Sequence, residues 1–299
     1  MPKVIVITGP TGVGKTKASI ELAKKLNGEI INADAMQVYK GLNIGTAKIK
    51  ESEKDNIPHH LFDIKNIDEE YTIYHYQKDA RNKIDEILKR NHTPILVGGT
   101  GLYIKSALYD YKLNDSKKDL TKYENQTTEE LYNELIQKDA RAITKIDKNN
   151  RRRIINALDY YEKENKSITE NRTDKLLYDV IIIGLTTNRE NLYQIINNRV
   201  DKMIKDGLIE EVKKYYKKEK YLKPLMNGIG YKEIIKYLDE SCSKEEAIEE
   251  IKKNSRHYAK RQYTFFNHQL KVNWIETNYQ DFNKTIKEIE RALDKEMNN

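Results

Sequence analysis

Eight residues near the start of the chain, Gly9-Pro10-Thr11-Gly12-Val13-Gly14-Lys15-Thr16, match the pattern G-x-x-x-x-G-K-[ST] in full. Glycines at these spacings let the backbone curl so that successive N–H groups face one anion. Lys15 adds a point charge for terminal phosphates, and the Thr16 hydroxyl is a hard oxygen ligand suited to a bridging Mg²⁺. The motif predicts a phosphate-binding loop. It leaves open whether the anion is a nucleoside triphosphate or another pyrophosphate.

Two more groups follow apolar runs directly. Asp34 comes after Glu29-Ile30-Ile31-Asn32-Ala33, and Gly98-Gly99-Thr100-Gly101 comes after Pro94-Ile95-Leu96-Val97. Asp34 reads either as a general base or metal-shell ligand near the phosphates, or as a turn cap. The glycines around Thr100 suit a tight turn, or close approach of backbone to a ligand.

The elements that must position these groups alternate. Val4-Ile5-Val6-Ile7 reads as a strand buried on both faces. A helix from about Thr16 to Leu26 follows, stopped by Asn27-Gly28, and Glu29 to Ala33 is a second strand. Tyr74 to Arg90 predicts an amphipathic helix with Ala80, Ile84, Ile87 and Leu88 on one face. Pro94 to Gly98 and Tyr178 to Leu185 are further buried strands. This order predicts an α/β fold, a P-loop NTPase-like parallel sheet flanked by helices. In such sheets ligands sit beyond the carboxyl ends of the strands, where all three groups fall.

Between Lys112 and Leu177 the chain loses glycine and proline and becomes charged and helical in pattern. The expected organisation is 1–111 as the first part of the core, 112–177 as a helical insertion domain, and 178–299 as the second part, mainly helical.

Other signals are weaker. Asn82-Lys83-Ile84-Asp85 matches the guanine-reading N-K-x-D pattern but lies inside a predicted helix, so it reads as coincidence. His59-His60 lacks a third ligand at a useful spacing and reads as structural. Arg151-Arg152-Arg153 is either a solvated face or an RNA-phosphate contact. Arg256, Tyr258, Lys260, Arg261 and Tyr263 mix charge with aromatics on one helix, as nucleic-acid surfaces and plain helix surfaces both do. Cys242 reads as an inert surface thiol.

Composition bounds the rest. The chain has 299 residues, 54 Lys+Arg against 47 Asp+Glu, and a formal net charge of +7. A single cysteine excludes an intrachain disulfide and a cysteine-rich zinc site. No apolar run approaches the roughly 20 residues of a membrane span, and the N-terminus lacks a signal-peptide pattern. A cytoplasmic protein without membrane association is expected. The 21 Tyr against 4 Phe and 1 Trp, with abundant Lys, Asn and Ile, match AT-rich coding. Placement therefore carries more information than abundance.

Taken together, several segments resemble the bacterial tRNA dimethylallyltransferases (tRNA isopentenyltransferases). They are the loop from Gly9 to Thr16, Asp34-Ala35-Met36-Gln37-Val38-Tyr39-Lys40-Gly41-Leu42-Asn43-Ile44-Gly45-Thr46-Ala47-Lys48, Pro58 to Ile64, and Val97 to Tyr103. Arg152 to Leu158, Gly228-Ile229-Gly230-Tyr231-Lys232-Glu233 and Tyr258 to Gln262 continue the family order across almost the whole chain. The resemblance implies transfer of a dimethylallyl group from dimethylallyl diphosphate to N6 of adenosine 37 in the tRNA anticodon stem-loop. The loop would hold the donor's pyrophosphate rather than ATP, with Mg²⁺ on Thr16.

In that family pattern Asp34 matches the general base, Thr100 a residue near the reacting adenosine, and Lys15 and Arg199 the pyrophosphate clamp. Asp34, Ala35, Met36, Gln37 and Thr100 match tRNA-contacting positions. So do Arg152, Arg153, Ile154, Ile155 and Asn156, and so do Asn227, Gly228, Ile229, Gly230, Tyr231 and Lys232. The insertion would bind tRNA, and a monomer is expected. The chain departs from the family pattern at Ala35 (usually Ser), Asn156 (often Arg), Asp147-Lys148 and Phe265-Phe266-Asn267, none of them Lys15, Thr16, Asp34 or Thr100.

Overall fold

The structure, a computed structural model, describes residues 3–111, 113, 121–217 and 222–297. Lys112, the expected first residue of the insertion, lies outside them. The strands in chain order are β1 (Lys3–Thr8), β2 (Gly28–Asn32), β3 (His59–His60), β4 (Thr93–Val97), β5 (Tyr109–Tyr111), β6 (Arg172–Leu176), β7 (Asp179–Thr186) and β8 (Asn273–Glu276). The helices are α1 (Lys15–Leu26), α2 (Ile73–Lys89), α3 (Gly101–Leu108), α4 (Thr128–Lys138), α5 (Arg151–Glu164) and α6 (Arg189–Lys205). They continue as α7 (Leu208–Lys213), α8 (Lys223–Asn227), α9 (Tyr231–Leu238), α10 (Lys244–Gln269) and α11 (Phe282–Met297). Two compact units result, 1–108 with 178–299, and 109–177.

The first unit is built on a parallel sheet in the order β3-β2-β4-β1-β7-β8. β1 lies between β4 and β7, with Ile5 opposite both Ile95 and Ile181. Val4, Ile5, Val6 and Ile7 are buried, each worth about 1.5–3 kcal/mol relative to exposure. This explains why β1 reads as an uninterrupted apolar run: a central parallel strand has no solvent face. α1 adds Ala18, Ile20, Leu22 and Ala23 to the same core, which α6, α10 and α11 complete with Leu192, Ile196, Ala259 and Ile289. α1 stops where expected, at Asn27, which takes a left-handed conformation (φ 48°) and donates its N–H to the Ala23 carbonyl.

Four strands escape the sequence pattern. β3 is two residues long, and β8 runs Asn-Trp-Ile-Glu with only Ile275 buried. Both are sheet edges, where one apolar face suffices and periodicity is too short to register. β5 and β6 form an antiparallel pair in the second unit, and β6 falls within the stretch expected to be helical.

The start of β2 carries a buried ion cluster. Glu29 is 3% exposed and accepts hydrogen bonds from Arg90 (2.8 Å) and ring nitrogens of His60 (2.6 Å) and His92 (2.7 Å). Burial alone pushes the Glu29 carboxyl up, but these partners outweigh it and hold it at about 2. His60 thus has the structural role expected of it. Asp85, of the guanine-like tetrad, lies in α2 and accepts from Tyr178 (3.2 Å).

The second unit has its own core, in which Leu131 and Leu135 of α4 meet Ile154, Ala157 and Leu158 of α5. Thr127 and Glu130 cap α4 reciprocally, and Asn150 caps α5 by accepting from the Arg153 N–H. Arg151 is not a free surface charge. Its guanidinium donates to the carbonyls of Gln126 (2.6 Å) and Tyr123 (2.5 Å), whereas Arg152 and Arg153 are exposed. Ile154, one of the residues expected to contact tRNA, has its side chain fully buried in the core of this unit. Helical phase is the reason, since Ile154 must share a face with Ala157 and Leu158.

Candidate active site

The carboxyl ends of β1, β2 and β4 open into one cavity of about 730 Å³ within the first unit. After β1 the backbone turns through Gly9, Gly12 and Gly14, all at positive φ. Gly12 has no substitute, because a Cβ there would lie 2.4 Å from Ile195 Cγ2 at φ +88°. Thr11, Gly12, Gly14, Lys15 and Thr16 line the cavity. Val13 points away into the core, and its carbonyl accepts from Thr277 Oγ1 (2.9 Å). Gly14 caps α1 without a side-chain oxygen, so the first amides of the helix keep their donors for a ligand.

Lys15 Nζ donates to the carbonyls of Gly9 (3.0 Å) and Pro10 (2.6 Å). Burial lowers its pKa to about 7, with a further push from the Arg199 cation and partial relief from Asp34. Arg199, projecting from α6, is also lowered by burial and supported by Asp34. Two basic side chains thus share a partly buried space with one carboxylate. Such a site gains most from a ligand carrying more than one negative charge.

Asp34 is fixed by its surroundings. Its N–H donates to Asn32 Oδ1 (2.9 Å), and Asn32 Nδ2 donates to the carbonyls of Asp34 (3.0 Å) and Leu61 (3.0 Å). Asp34 Oδ1 accepts from the Met36 N–H (2.9 Å), so the residue does cap a turn. No hydrogen bond reaches Oδ2 among the described residues, which leaves that oxygen available for proton transfer. The turn-cap reading of Asp34 is thus realised through Oδ1.

Thr100 stands across from it. Gly98, after β4, passes so close to β2 that a Cβ would lie 2.2 Å from the Ala33 carbonyl oxygen. This lets the Thr100 N–H donate to Ala33 O (3.1 Å) while Thr100 Oγ1 accepts from the Ala35 N–H (3.1 Å). α3 begins at Gly101, so the glycine segment is a tight turn whose Gly98, Gly99 and Thr100 line the cavity.

Ala35, Met36 and Gln37 line the same cavity, as do Asn227, Gly228, Ile229, Gly230, Tyr231 and Lys232 opposite. The Tyr231 side chain is 1% exposed and donates through its hydroxyl to Glu211 (2.7 Å). It therefore packs the wall rather than presenting a surface. Arg152 to Asn156 belong to the other unit.

Among the α10 side chains that line the cavity are Tyr258, which the sequence places on a mixed charged-aromatic helix surface, and Gln262, which no motif singles out. Tyr258 and Gln262 lie four residues apart on α10, hence on one face. Burial, then the Asp34 charge, push the Tyr258 hydroxyl up to about 12, against opposing hydrogen bonds from Thr100 and Gln262. It keeps its proton at neutral pH and can donate. Gln262 Nε2 donates to the Gly99 carbonyl (2.9 Å). The i, i+4 spacing was visible in the sequence, but nothing local tied it to Thr100.

A glycine-rich loop of the P-loop pattern at the carboxyl end of a parallel sheet, with Lys15, Arg199 and Asp34 lining one cavity, defines a P-loop-type α/β protein. The IPP transferase family pattern matches residues 37–269. The chain is 49% identical to the tRNA dimethylallyltransferase of Anoxybacillus flavithermus over 96% of its own length and 94% of that protein. It is 44% identical to the one from Macrococcus caseolyticus, over 99% and 97%. Among solved structures, the tRNA isopentenylpyrophosphate transferase of Bacillus halodurans superposes with a TM-score of 0.77 at 41% identity, covering 100% of this chain and 97% of that one. A eukaryotic dimethylallyltransferase acting on tRNA gives a TM-score of 0.88 at 31% identity, over 99% and 79%. The chain belongs to the tRNA dimethylallyltransferase family.

Proposed function

We infer that this protein transfers a dimethylallyl group from dimethylallyl diphosphate to N6 of adenosine 37 in the anticodon stem-loop of tRNA, releasing diphosphate. The observation that carries the reading is the juxtaposition of Asp34 with Lys15 and Arg199 in one cavity. The adenine amino group is a weak nucleophile and needs a base, while the leaving diphosphate needs its growing charge stabilised. In the transfer the allylic C–O bond breaks and a C–N6 bond forms. The electron pair of the broken bond stays on the diphosphate, and an N6 proton passes to the Asp34 carboxylate. Lys15, Arg199, the Thr16 hydroxyl and the amides of Gly12 to Thr16 hold the departing diphosphate. Thr100 and Tyr258 hold the Asp34 loop and the adenine edge. Adenosine 37 must leave its stack to enter such a cavity.

A divalent ion fits this site. The Thr16 hydroxyl is a hard oxygen donor on the cavity wall, and no group of three His, Cys, Asp or Glu able to hold a metal occurs among the described residues. Mg²⁺ would therefore be held by Thr16 and by diphosphate oxygens. When bound it supplies positive charge to the leaving group. In our reading the P-loop serves diphosphate rather than ATP, and the unit 109–177 meets tRNA through exposed Arg152 and Arg153, the insertion expected from residue 112. Action as a monomer in the cytoplasm completes it. No helix among the described residues is long and apolar enough to cross a membrane.

The test is direct. Unmodified tRNA, dimethylallyl diphosphate and Mg²⁺ are incubated with the protein, and the digested anticodon loop is weighed. A gain of one dimethylallyl group at adenosine 37 is expected. No gain, together with phosphoryl transfer from ATP to a small acceptor, would reject the reading.

A further inference from the structure

Glu211 lies on α7, outside the cavity lining, and is 5% exposed. No Lys, Arg or His pairs with it among the described residues. Its Oε2 accepts the backbone N–H groups of Asn43 (2.9 Å) and Ile44 (2.7 Å). Its Oε1 accepts the N–H of Gly45 (3.1 Å) and the hydroxyl of Tyr231 (2.7 Å). A buried carboxylate is costly unless hydrogen-bonded throughout, and these four donors satisfy it. Burial, and then the Glu211 carboxylate itself, push the Tyr231 hydroxyl far above its ordinary range, so it stays a donor.

Two of the four donors, Gly45 and Tyr231, lie on separate walls of the cavity, and Asn43 and Ile44 directly precede Gly45 in the chain. Gly45, Thr46 and Ala47 continue the wall that begins at Asp34, and Gln37 Nε2 ties the two ends together by donating to the Thr46 carbonyl (3.0 Å). Tyr231 opens α9, on the wall of Asn227 to Lys232. The walls also touch. A Cβ on Gly45 would lie 2.6 Å from the Tyr231 ring, and one on Gly228 would lie 2.8 Å from Met36 Cε.

We propose that Glu211 is a positioning residue that clamps the 43–45 turn to Tyr231 and so sets the gap between the two walls that admit the tRNA substrate. This rests on the reading that those walls face tRNA. The clamp's hydrogen bonds run to the 43–45 turn and Tyr231 and not to the P-loop, so its loss changes tRNA use and leaves diphosphate binding intact. The chemistry explains why glutamate suits the position. Glutamine would present an N–H₂ group to donors, and alanine would leave three backbone N–H groups buried and unpaired.

The experiment compares full-length protein with Glu211→Gln, Glu211→Asp, Tyr231→Phe, Asn227→Ala and Lys232→Ala. KM and kcat are measured against varied tRNA, and inorganic pyrophosphate binding by calorimetry. Glu211→Gln is expected to raise KM for tRNA about 10-fold or more, and Tyr231→Phe by about 3-fold, with the pyrophosphate Kd within about 2-fold. Glu211→Asp, which keeps the charge, should recover part of the loss. If Glu211→Gln fails to fold, Tyr231→Phe, which removes one oxygen atom, decides. The proposal is overturned if Asn227→Ala or Lys232→Ala raises KM while neither clamp variant does, or if pyrophosphate binding falls in step with tRNA use. Were none of the variants to move KM, the tRNA-facing assignment of the walls would fail first and take the clamp with it.

Discussion

The hydroxyl of Thr100 accepts a hydrogen bond from the N–H of Ala35 at 3.1 Å, while the Thr100 N–H donates to the carbonyl of Ala33 at 3.1 Å. Thr100, in the turn between β4 and α3, therefore grips the chain on both sides of Asp34. Thr100→Val keeps the shape and removes the acceptor, leaving the Ala35 N–H unpaired. Steady-state assays should give kcat lower by about 10-fold or more. Thr100→Ser should stay near the parent, and parent-like turnover of the valine variant would sink the assignment.

Asp34→Asn separates positioning from chemistry. An asparagine oxygen can still accept from the Met36 N–H, so the turn should hold. The base is lost, and turnover should drop by about 10²–10⁴-fold. tRNA affinity, read by filter binding, should change only a few-fold. A variant that still turned over rapidly would show that N6 loses its proton elsewhere.

The basic triplet on α5 should split into two behaviours. Arg151→Ala removes the donors to Gln126 and Tyr123 carbonyls and should lower the melting temperature. Arg152→Ala and Arg153→Ala should leave stability unchanged and weaken tRNA binding. Each should also flatten the dependence of log K on log[salt] by about 0.7–1 for every phosphate that is no longer neutralised. An unchanged slope would make them plain solvated charges.

Acid should reveal the Glu29 cluster. Its folded pKa of about 2 lies below the ordinary 4.5, so the stabilisation is complete above pH about 4.5 and is lost as pH falls toward 2. Arg90 is 47% exposed at its side chain, so solvent screening reduces the benefit to on the order of 1–3 kcal/mol. Urea melts of the parent between pH 6 and 2.5 should show this loss. Glu29→Gln should be weaker at pH 6 and less sensitive to acid. Parallel pH profiles for the two proteins would exclude the cluster as the cause.

Local chemistry is what the sequence determined. The P-loop is eight consecutive residues whose conformation follows from their own glycines, and β1, β4 and β7 are apolar runs with no solvent face. Asp34 and Thr100 were placed correctly at strand ends because a parallel sheet puts those ends together. The edge strands β3 and β8 were too short and too polar to register. In α5 the sequence could not say which member of the arginine triplet turns inward, nor that Ile154 is core, since the first depends on where the Tyr123 and Gln126 carbonyls lie and the second on where α4 packs. Tertiary structure alone decided the rest. Glu211 gathers donors 166 to 168 residues earlier and 20 residues later in the chain, and Thr100 closes on Ala35 across 65 residues. A hydrogen bond needs a few tenths of an ångström of agreement between its partners. Such agreement across long chain separations comes only from the packed core that fixes both ends.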